Sequence, residues 1–144
     1  MNYKGPFAVQ KTAFQMAKDD GGRGYGMPLN YVWDGADALY IHCAPDGEKL
    51  RVISANPDVS FCVVGKTRLL PERFTTEYES VVMKCRAVTG LDDDEKTRAL
   101  RLLVAKLSPG HEELGMKYSQ KSFHRVEIIR LDVIEASGKR KKVF

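Results

Sequence analysis

Residues 38–65 carry a strand–turn–helix–strand pattern, and this segment constrains the fold of the 144-residue chain more than any other. The apolar run Ala38–Cys43 predicts a strand, and the Pro-Asp-Gly sequence at 45–47 predicts a turn after it. A short amphipathic helix follows, which we expect to end at Asn56–Pro57, and the apolar run Val59–Gly65 predicts the next strand. A strand therefore ends close to where a helix begins.

Two polar residues, His42 and Lys49, flank this turn. The free N–H groups at a helix start favour anions, and a nearby lysine adds a compact positive charge suited to phosphate. A histidine at the end of the strand can donate a hydrogen bond or a proton. The pattern suits a phosphorylated cofactor.

The rest of the chain predicts further strands joined by Asp/Gly turns, at Thr12–Ala17, Tyr25–Trp33, Tyr78–Val88 and Phe123–Ala136. Pro28 lies inside the second strand, which indicates an edge strand or a bulge because proline cannot donate to the ladder. The alternation of the last strand slips at Ile129–Arg130, which predicts a bulge or a bend there. We therefore expect a mainly β protein: an antiparallel barrel of about six strands with two or three helices on its surface.

The helical signals lie between these strands. Asp92 and Glu95 form a capping box that predicts a helix start, and leucines at 100, 103 and 107 mark its packing face. His111–Gln120 predicts a second short helix, and the polar residues 66–71 predict an exposed connector.

Length and composition indicate one domain, residues 1–144, with a loose arm at 1–11 and a basic tail at 138–144. Three cysteines without close spacing argue against a disulfide framework, and we predict no metal site. No window reaches the roughly 18–20 apolar residues of a membrane span, and the first residues lack a secretory signal, so we expect a cytoplasmic protein without a membrane partner. The net charge of +4 is concentrated in the 139–142 run without interleaved aromatics, which predicts no nucleic-acid partner.

Several motifs in order give the chain a family resemblance. They are Tyr25-Gly-Met-Pro-Leu-Asn-Tyr31, His42-Cys-Ala44, Gly47-Glu-Lys-Leu50, Asn56-Pro57, Val59-Ser-Phe61 and Phe74-Thr-Thr-Glu-Tyr-Glu-Ser-Val81. On these residues the chain resembles the FMN-binding split barrels related to pyridoxamine 5'-phosphate oxidase, and within them the nitroimidazole-resistance proteins. The resemblance extends from about residue 13 to residue 139.

The resemblance implies a homodimer that binds FMN in clefts between its two subunits. Lys49 would contact the FMN phosphate, His42 would contact the cofactor and serve as the catalytic proton donor, and Ser80 matches a polar cofactor-binding position. The full set of implied cofactor-binding residues is Pro28, Leu29, Asn30, Tyr31, Ile41, His42, Lys49, Thr75, Thr76 and Ser80. Tyr31 and Trp33 share a strand face, and of the two we expect Trp33 in the core. Thr76 is expected to reach the cofactor of the other subunit.

The implied function is that of an FMN-dependent oxidoreductase acting on a small organic acceptor such as a nitro-aromatic compound. Two alternatives stay open: a flavin-binding module without turnover, and a haem protein with His42 or His124 as axial ligand. Where the family usually carries an arginine-rich N-terminal helix, the sequence reads MNYKGPFAVQK, so we expect that helix to be short or missing. Where the true oxidases carry a C-terminal arginine and histidine that hold the substrate phosphate, it reads SGKRKKVF, so vitamin B6 oxidation is not expected.

Overall fold

The computed structural model describes residues 12–18 and 21–143, with side chains from residue 21 onward. Its elements in chain order are β1 Thr12–Lys18, β2 Gly24–Asn30, β3 Val32–Trp33, β4 Ala38–Cys43, α1 Glu48–Ala55, β5 Asp58–Leu70, β6 Thr75–Val88, α2 Asp93–Leu107, α3 Glu112–Lys121 and β7 Glu127–Lys141. Short 3₁₀ turns at Pro71–Arg73 and Phe123–Arg125 precede β6 and β7.

The strands form one antiparallel sheet in the order β2-β1-β5-β6-β7-β4-β3. Its two edge strands, β2 and β3, are separated in the chain by Tyr31 alone. Because one residue connects opposite edges, the sheet must curl until those edges meet, which makes it a split barrel. The predicted fold class is confirmed. The predicted second strand is divided at Tyr31, and Pro28 lies in an edge strand as its missing N–H requires.

The core fills the inside of the curled sheet, and a second apolar layer lies outside it under α2. Tyr31 and Phe61 pack edge to face in the inner core with their centroids 5.2 Å apart. Tyr40 and Ile128 point outward and pack against Ala99, Leu100 and Leu103 of α2. The sheet between β4 and β7 is therefore covered on both faces.

This double coverage corrects one prediction. Ile128 and Ile129 are both fully buried, one under α2 and one in the inner core, so this pair marks a strand that is apolar on both faces. The predicted bulge at Ile129–Arg130 is wrong. The register shifts further along, where Lys84 pairs with Glu135 and the next residue of β6 pairs with Val133, so that Ile134 is the extra residue.

Two further predictions are wrong for a related reason. Residues 66–70 are the second half of β5 and pair with β6 down to Leu70–Thr75, where we expected a connector. Residues 139–141 are likewise the end of β7, where we expected a free basic tail. These segments extend beyond the barrel core and are exposed apart from Leu70, so the apolar alternation that reveals a strand is missing.

The α2 helix begins as its capping box predicts and is tied to the sheet by a polar network. The Asp92 carboxylate accepts a hydrogen bond from the Glu95 N–H at 2.8 Å. The Tyr40 hydroxyl and the Arg130 guanidinium both donate to the Glu95 carboxylate, at 2.9 and 2.8 Å. The Arg130 guanidinium lowers the pKa of Glu95, and burial together with the bond to Glu95 raises the pKa of Tyr40 to about 12. The network fixes α2 over β4, the strand that carries His42.

Candidate functional site

The start of α1 is a cluster of polar groups with no side-chain cap. Gly47 is the N-cap residue and has no side chain that could accept from the first-turn N–H groups. Lys49, in that first turn, is half-buried, and the four residues 44–47 connect the end of β4 to the start of α1. An uncapped helix start next to an ammonium group is a favourable position for an anion.

The positive charge of Lys49 acts on His42, at the end of β4. Burial lowers the pKa of His42 below 6.5, and the positive charge of Lys49 lowers it further. Burial raises the pKa of the Cys43 thiol, and the positive charge of Lys49 acts in the opposite direction. At neutral pH the imidazole is therefore mainly neutral, with one N–H to donate and one nitrogen to accept.

Replacing this lysine tests the arrangement without any ligand. In Lys49→Gln we expect the pKa of His42 to rise toward its ordinary value, because the ammonium no longer disfavours the imidazolium form. It should stay below 6.5, since burial remains the larger cause. Imidazole proton chemical shifts followed by NMR as a function of pH measure it. An unchanged His42 pKa would show that the two groups are not coupled.

The predicted residues around this pair differ in their access to a ligand. Pro28 and Asn30 are exposed on β2, and Leu29 packs against the barrel core. Ile41 and Tyr31 are fully buried inside the barrel. Their side chains therefore have no free surface in the single chain.

The assignment of Trp33 to the core in place of Tyr31 is wrong. Tyr31 has no exposed surface, whereas Trp33 is half-buried at the core margin and donates its indole N–H to the Ala36 carbonyl at 2.9 Å. The reason is the closure of the barrel: Tyr31 lies where the two edges meet and fills the gap between them.

The three hydroxyl residues predicted on β6 lie elsewhere in the fold. Ser80 pairs with Lys139 of β7, whereas His42 pairs with Ile128 of the same strand. These two positions on β7 are about 35 Å apart along the strand, given roughly 3.3 Å for each residue. Thr75 and Thr76 lie at the start of β6, farther still from the position of His42. The Thr75 hydroxyl accepts a hydrogen bond from the Lys141 ammonium group. One subunit therefore does not gather all predicted residues into one pocket.

The residues at α1 do fit the phosphate end of a flavin. Lys49 supplies the charge, and an added Cβ at Gly47 would meet no atom within 4 Å, so the backbone there is open. In the part of the chain that the structure describes, no group of three or more histidine, cysteine or acidic side chains is arranged to hold a metal ion. No helix there is long and apolar enough to cross a membrane.

Sequence reasoning missed a lysine, Lys106, whose ammonium group is buried beside Tyr31. The Lys106 ammonium lies 3.6 Å from the centroid of the Tyr31 ring, and among the described residues it finds no hydrogen-bond partner. Burial lowers the pKa of Lys106 to about 8. The available signal was its position between Leu103 and Leu107, at the border of the apolar stripe of α2.

Removing this charge should stabilise the protein. A pKa lowered from 10.5 to about 8 corresponds to a cost of about 3 kcal/mol for the charged form, and the attraction to the Tyr31 ring offsets about 0.5–2 kcal/mol of it. We expect Lys106→Met to raise the free energy of unfolding at pH 7 by about 1–2 kcal/mol.

The pH dependence of the free energy of unfolding provides a second test of this prediction. Because the unfolded chain holds the Lys106 proton more tightly, the native protein should gain stability between pH 8 and pH 10.5, and the variant should not show that gain. Denaturant unfolding across this range measures both. A variant that is less stable at pH 7 would mean that the contact with Tyr31 outweighs burial.

Fold and site together define a split barrel of the kind that binds flavin. A sequence model of the pyridoxamine 5'-phosphate oxidase family matches residues 13–140, and the chain belongs to that family. No curated protein matches the sequence.

Solved structures support the same fold. A candidate 5-nitroimidazole antibiotic resistance protein from Bacteroides thetaiotaomicron is 19% identical with a TM-score of 0.73, over 92% of this chain and 78% of that one. An FAD-binding protein from Mesorhizobium loti is 22% identical with a TM-score of 0.62, over 95% and 91%. An FAD- and haem-binding protein from Mycobacterium smegmatis is 17% identical with a TM-score of 0.76, over 96% and 69%. At these identities the likeness shows the fold alone.

Proposed function

We propose that this protein is an FMN-dependent oxidoreductase that reduces a small organic acceptor such as a nitro-aromatic compound. The observation that carries the proposal is the convergence of Lys49 and the neutral His42 at the uncapped start of α1. Lys49 and the first-turn N–H groups would bind the phosphate. The flavin, once bound, supplies the electron transfer, and the protein supplies binding and orientation.

The role of His42 follows from its position and its protonation state. Its side chain is partly buried, which lowers its pKa, and the rest of it is open to a ligand at the end of β4. The neutral ring carries one N–H, so it can donate a hydrogen bond to a ligand oxygen. An anion at Lys49 would cancel part of the charge that lowers the His42 pKa. Phosphate binding would therefore make the imidazole a better proton carrier near neutral pH.

We further propose that the protein acts as a homodimer in which the second subunit completes the site. Within residues 21–143, no helix packs on the outer face of β5, β6 and the second half of β7, whereas α2 covers β4 and Ile128 at the start of β7. The exposed apolar residues of this outer face are Val64 (43% exposed), Val82 (45%) and Ile134 (69%), and we call them the bare face. The ion pairs Lys84–Glu135 and Arg86–Asp58 border it, which gives an apolar centre with a polar rim.

Predicted cofactor residues lie on the side of the sheet that the bare face occupies. Ser80 is two residues from Val82 and so shares its side of β6. One row of directly paired residues runs from Pro28 across β1 and β5 to Val82. Paired residues point to the same face of a sheet, so Pro28 lies on the side of Val82. A subunit docked on the bare face could therefore bring its own Lys49 and His42 toward these residues.

Anaerobic spectroscopy of the purified protein tests the function. We expect bound FMN, with its visible absorption band bleached by NADH or NADPH and restored by a nitro-aromatic compound. Such a cycle would place the protein where reduced nicotinamides occur, in the cytoplasm. A yellow protein inert to both reagents would identify a flavin-binding module without turnover. A Soret band in place of flavin bands would identify a haem protein, and either result would contradict the proposal.

A further inference from the structure

A separate cleft of about 280 Å³ lies between α2, α3 and the end of β4, with His42 in its wall. The other walls are apolar side chains of α2, Val126, the ring of Tyr118 and three serines. In the part of the chain that the structure describes, this lining contains no charged side chain. Apart from His42, none of the residues predicted to bind the cofactor lines this cleft.

The cleft exists because α3 is held close to α2 at one point and stands away from the barrel elsewhere. A Cβ added at Gly115 would lie 2.6 Å from a methyl carbon of Val104, so only glycine permits this approach. None of the residues of α3 is buried, and Tyr118 is exposed. The space between α3 and β4 is thus open to solvent and bounded by apolar surface.

Size and charge define what this cleft can accept. Its volume is at the lower end of the range for small-molecule sites, about 300–1,000 Å³, which suits a ligand of one ring. Several cations flank the lining in sequence, but none of the described lysines and arginines lines the cleft, and Lys106 is directed at the Tyr31 ring. An ionised phosphate held against this lining would exchange part of its hydration for neutral groups, with no cation in the lining to balance its charge. The imidazole N–H and the serine hydroxyls are the donors available to orient an uncharged ligand.

We propose that this cleft is the acceptor subsite of the enzyme and selects uncharged single-ring compounds over their phosphorylated counterparts. The proposal rests on the function proposed above. His42 would be shared between the two parts of the site: its ring lines the cleft, and it responds to the charge of Lys49. Selection against phosphate would separate this chain from an enzyme for phosphorylated pyridoxamine.

Ligand binding can be measured independently of turnover. NMR titration of the purified protein with nitrobenzene should shift the signals of His42 and of methyl groups at Leu103 and Val104. The matched probe 4-nitrophenyl phosphate should bind at least about tenfold more weakly, because its phosphate would lose hydration where no cation balances the charge. Equal affinity for the two probes, or shifts confined to residues away from the cleft, would overturn the proposal.

A filling variant with a matched control makes the test specific. Ser119→Trp places an indole in the cleft. Gln120→Trp adds the same bulk to α3 at a position outside the lining. We expect Ser119→Trp to weaken nitrobenzene binding at least about tenfold, with the Gln120→Trp control unchanged and the circular dichroism of both as in the parent. Equal effects of both tryptophans would contradict the assignment.

The outcome is distinguishable from failure of the function itself. FMN binding is scored by absorption in the same samples, and nitrobenzene binding is scored with and without FMN. If the protein binds nitrobenzene in the cleft but does not bind flavin, the proposed function is wrong. If bound flavin is reduced and reoxidised while nitrobenzene does not bind in the cleft, the proposed subsite is wrong.

Discussion

Replacing Lys49 by methionine is expected to weaken FMN binding by about 10- to 100-fold, because a hydrogen bond to a charged group is worth about 1.5–3 kcal/mol. Methionine keeps the aliphatic length of the side chain, so the packing of α1 on the barrel through Val52 and Ile53 should be unaffected. Fluorescence quenching of FMN on titration with the protein gives the dissociation constant.

A matched control separates the specific charge from net charge. Lys121→Met removes one positive charge at the exposed end of α3, so it changes the overall charge equally. We expect its FMN affinity to equal that of the parent. If riboflavin, which lacks the phosphate, loses as much affinity as FMN in Lys49→Met, the lysine does not bind phosphate and the assignment is wrong.

The second large effect is expected at the bare face. Val82→Asp puts a carboxylate into the centre of the proposed interface, and a two-fold interface repeats the change in both subunits. Desolvation of an unpaired charge costs several kcal/mol, so we expect the dimer dissociation constant to rise at least about 100-fold. Sedimentation analysis should show a single chain, and FMN should be lost with the partner.

The control for this variant is Leu114→Asp. Leu114 is also an exposed apolar residue, but it lies in the first turn of α3, where an acidic side chain is well tolerated. We expect Leu114→Asp to stay dimeric and yellow. A Val82→Asp protein that remains dimeric would place the interface elsewhere, and a monomer that retains FMN would show that one subunit suffices.

Much of the fold could be predicted because the buried part of the chain carries strong patterns. The apolar run at β4 fixed its bounds, and the capping box of Asp92 and Glu95 located the start of α2. The ends of β5 and β7 could not be predicted, because their residues past the core are exposed apart from Leu70 and show no apolar alternation. The position of the bulge was obscured because Ile128 and Ile129 face two different apolar layers.

The candidate site was predictable in part. The turn sequence brought His42 and Lys49 together through local chain geometry, and the structure couples them electrostatically. Tyr31 and Lys106 meet only because the barrel closes and α2 folds over it, and no local pattern reports such a contact. The cleft beside His42 likewise depends on the approach of Gly115 to Val104, which is a property of the assembled helices.

We propose that FMN occupies a site built from Lys49 of one subunit and the outer sheet face of another. This proposal can be tested by sedimentation velocity of the FMN-loaded protein, followed simultaneously in the protein absorption and the visible flavin absorption. We expect both signals to move together as a dimer with one flavin for each chain. A flavin signal that moves with a single chain, or that stays unbound while the protein moves as a dimer, would contradict it.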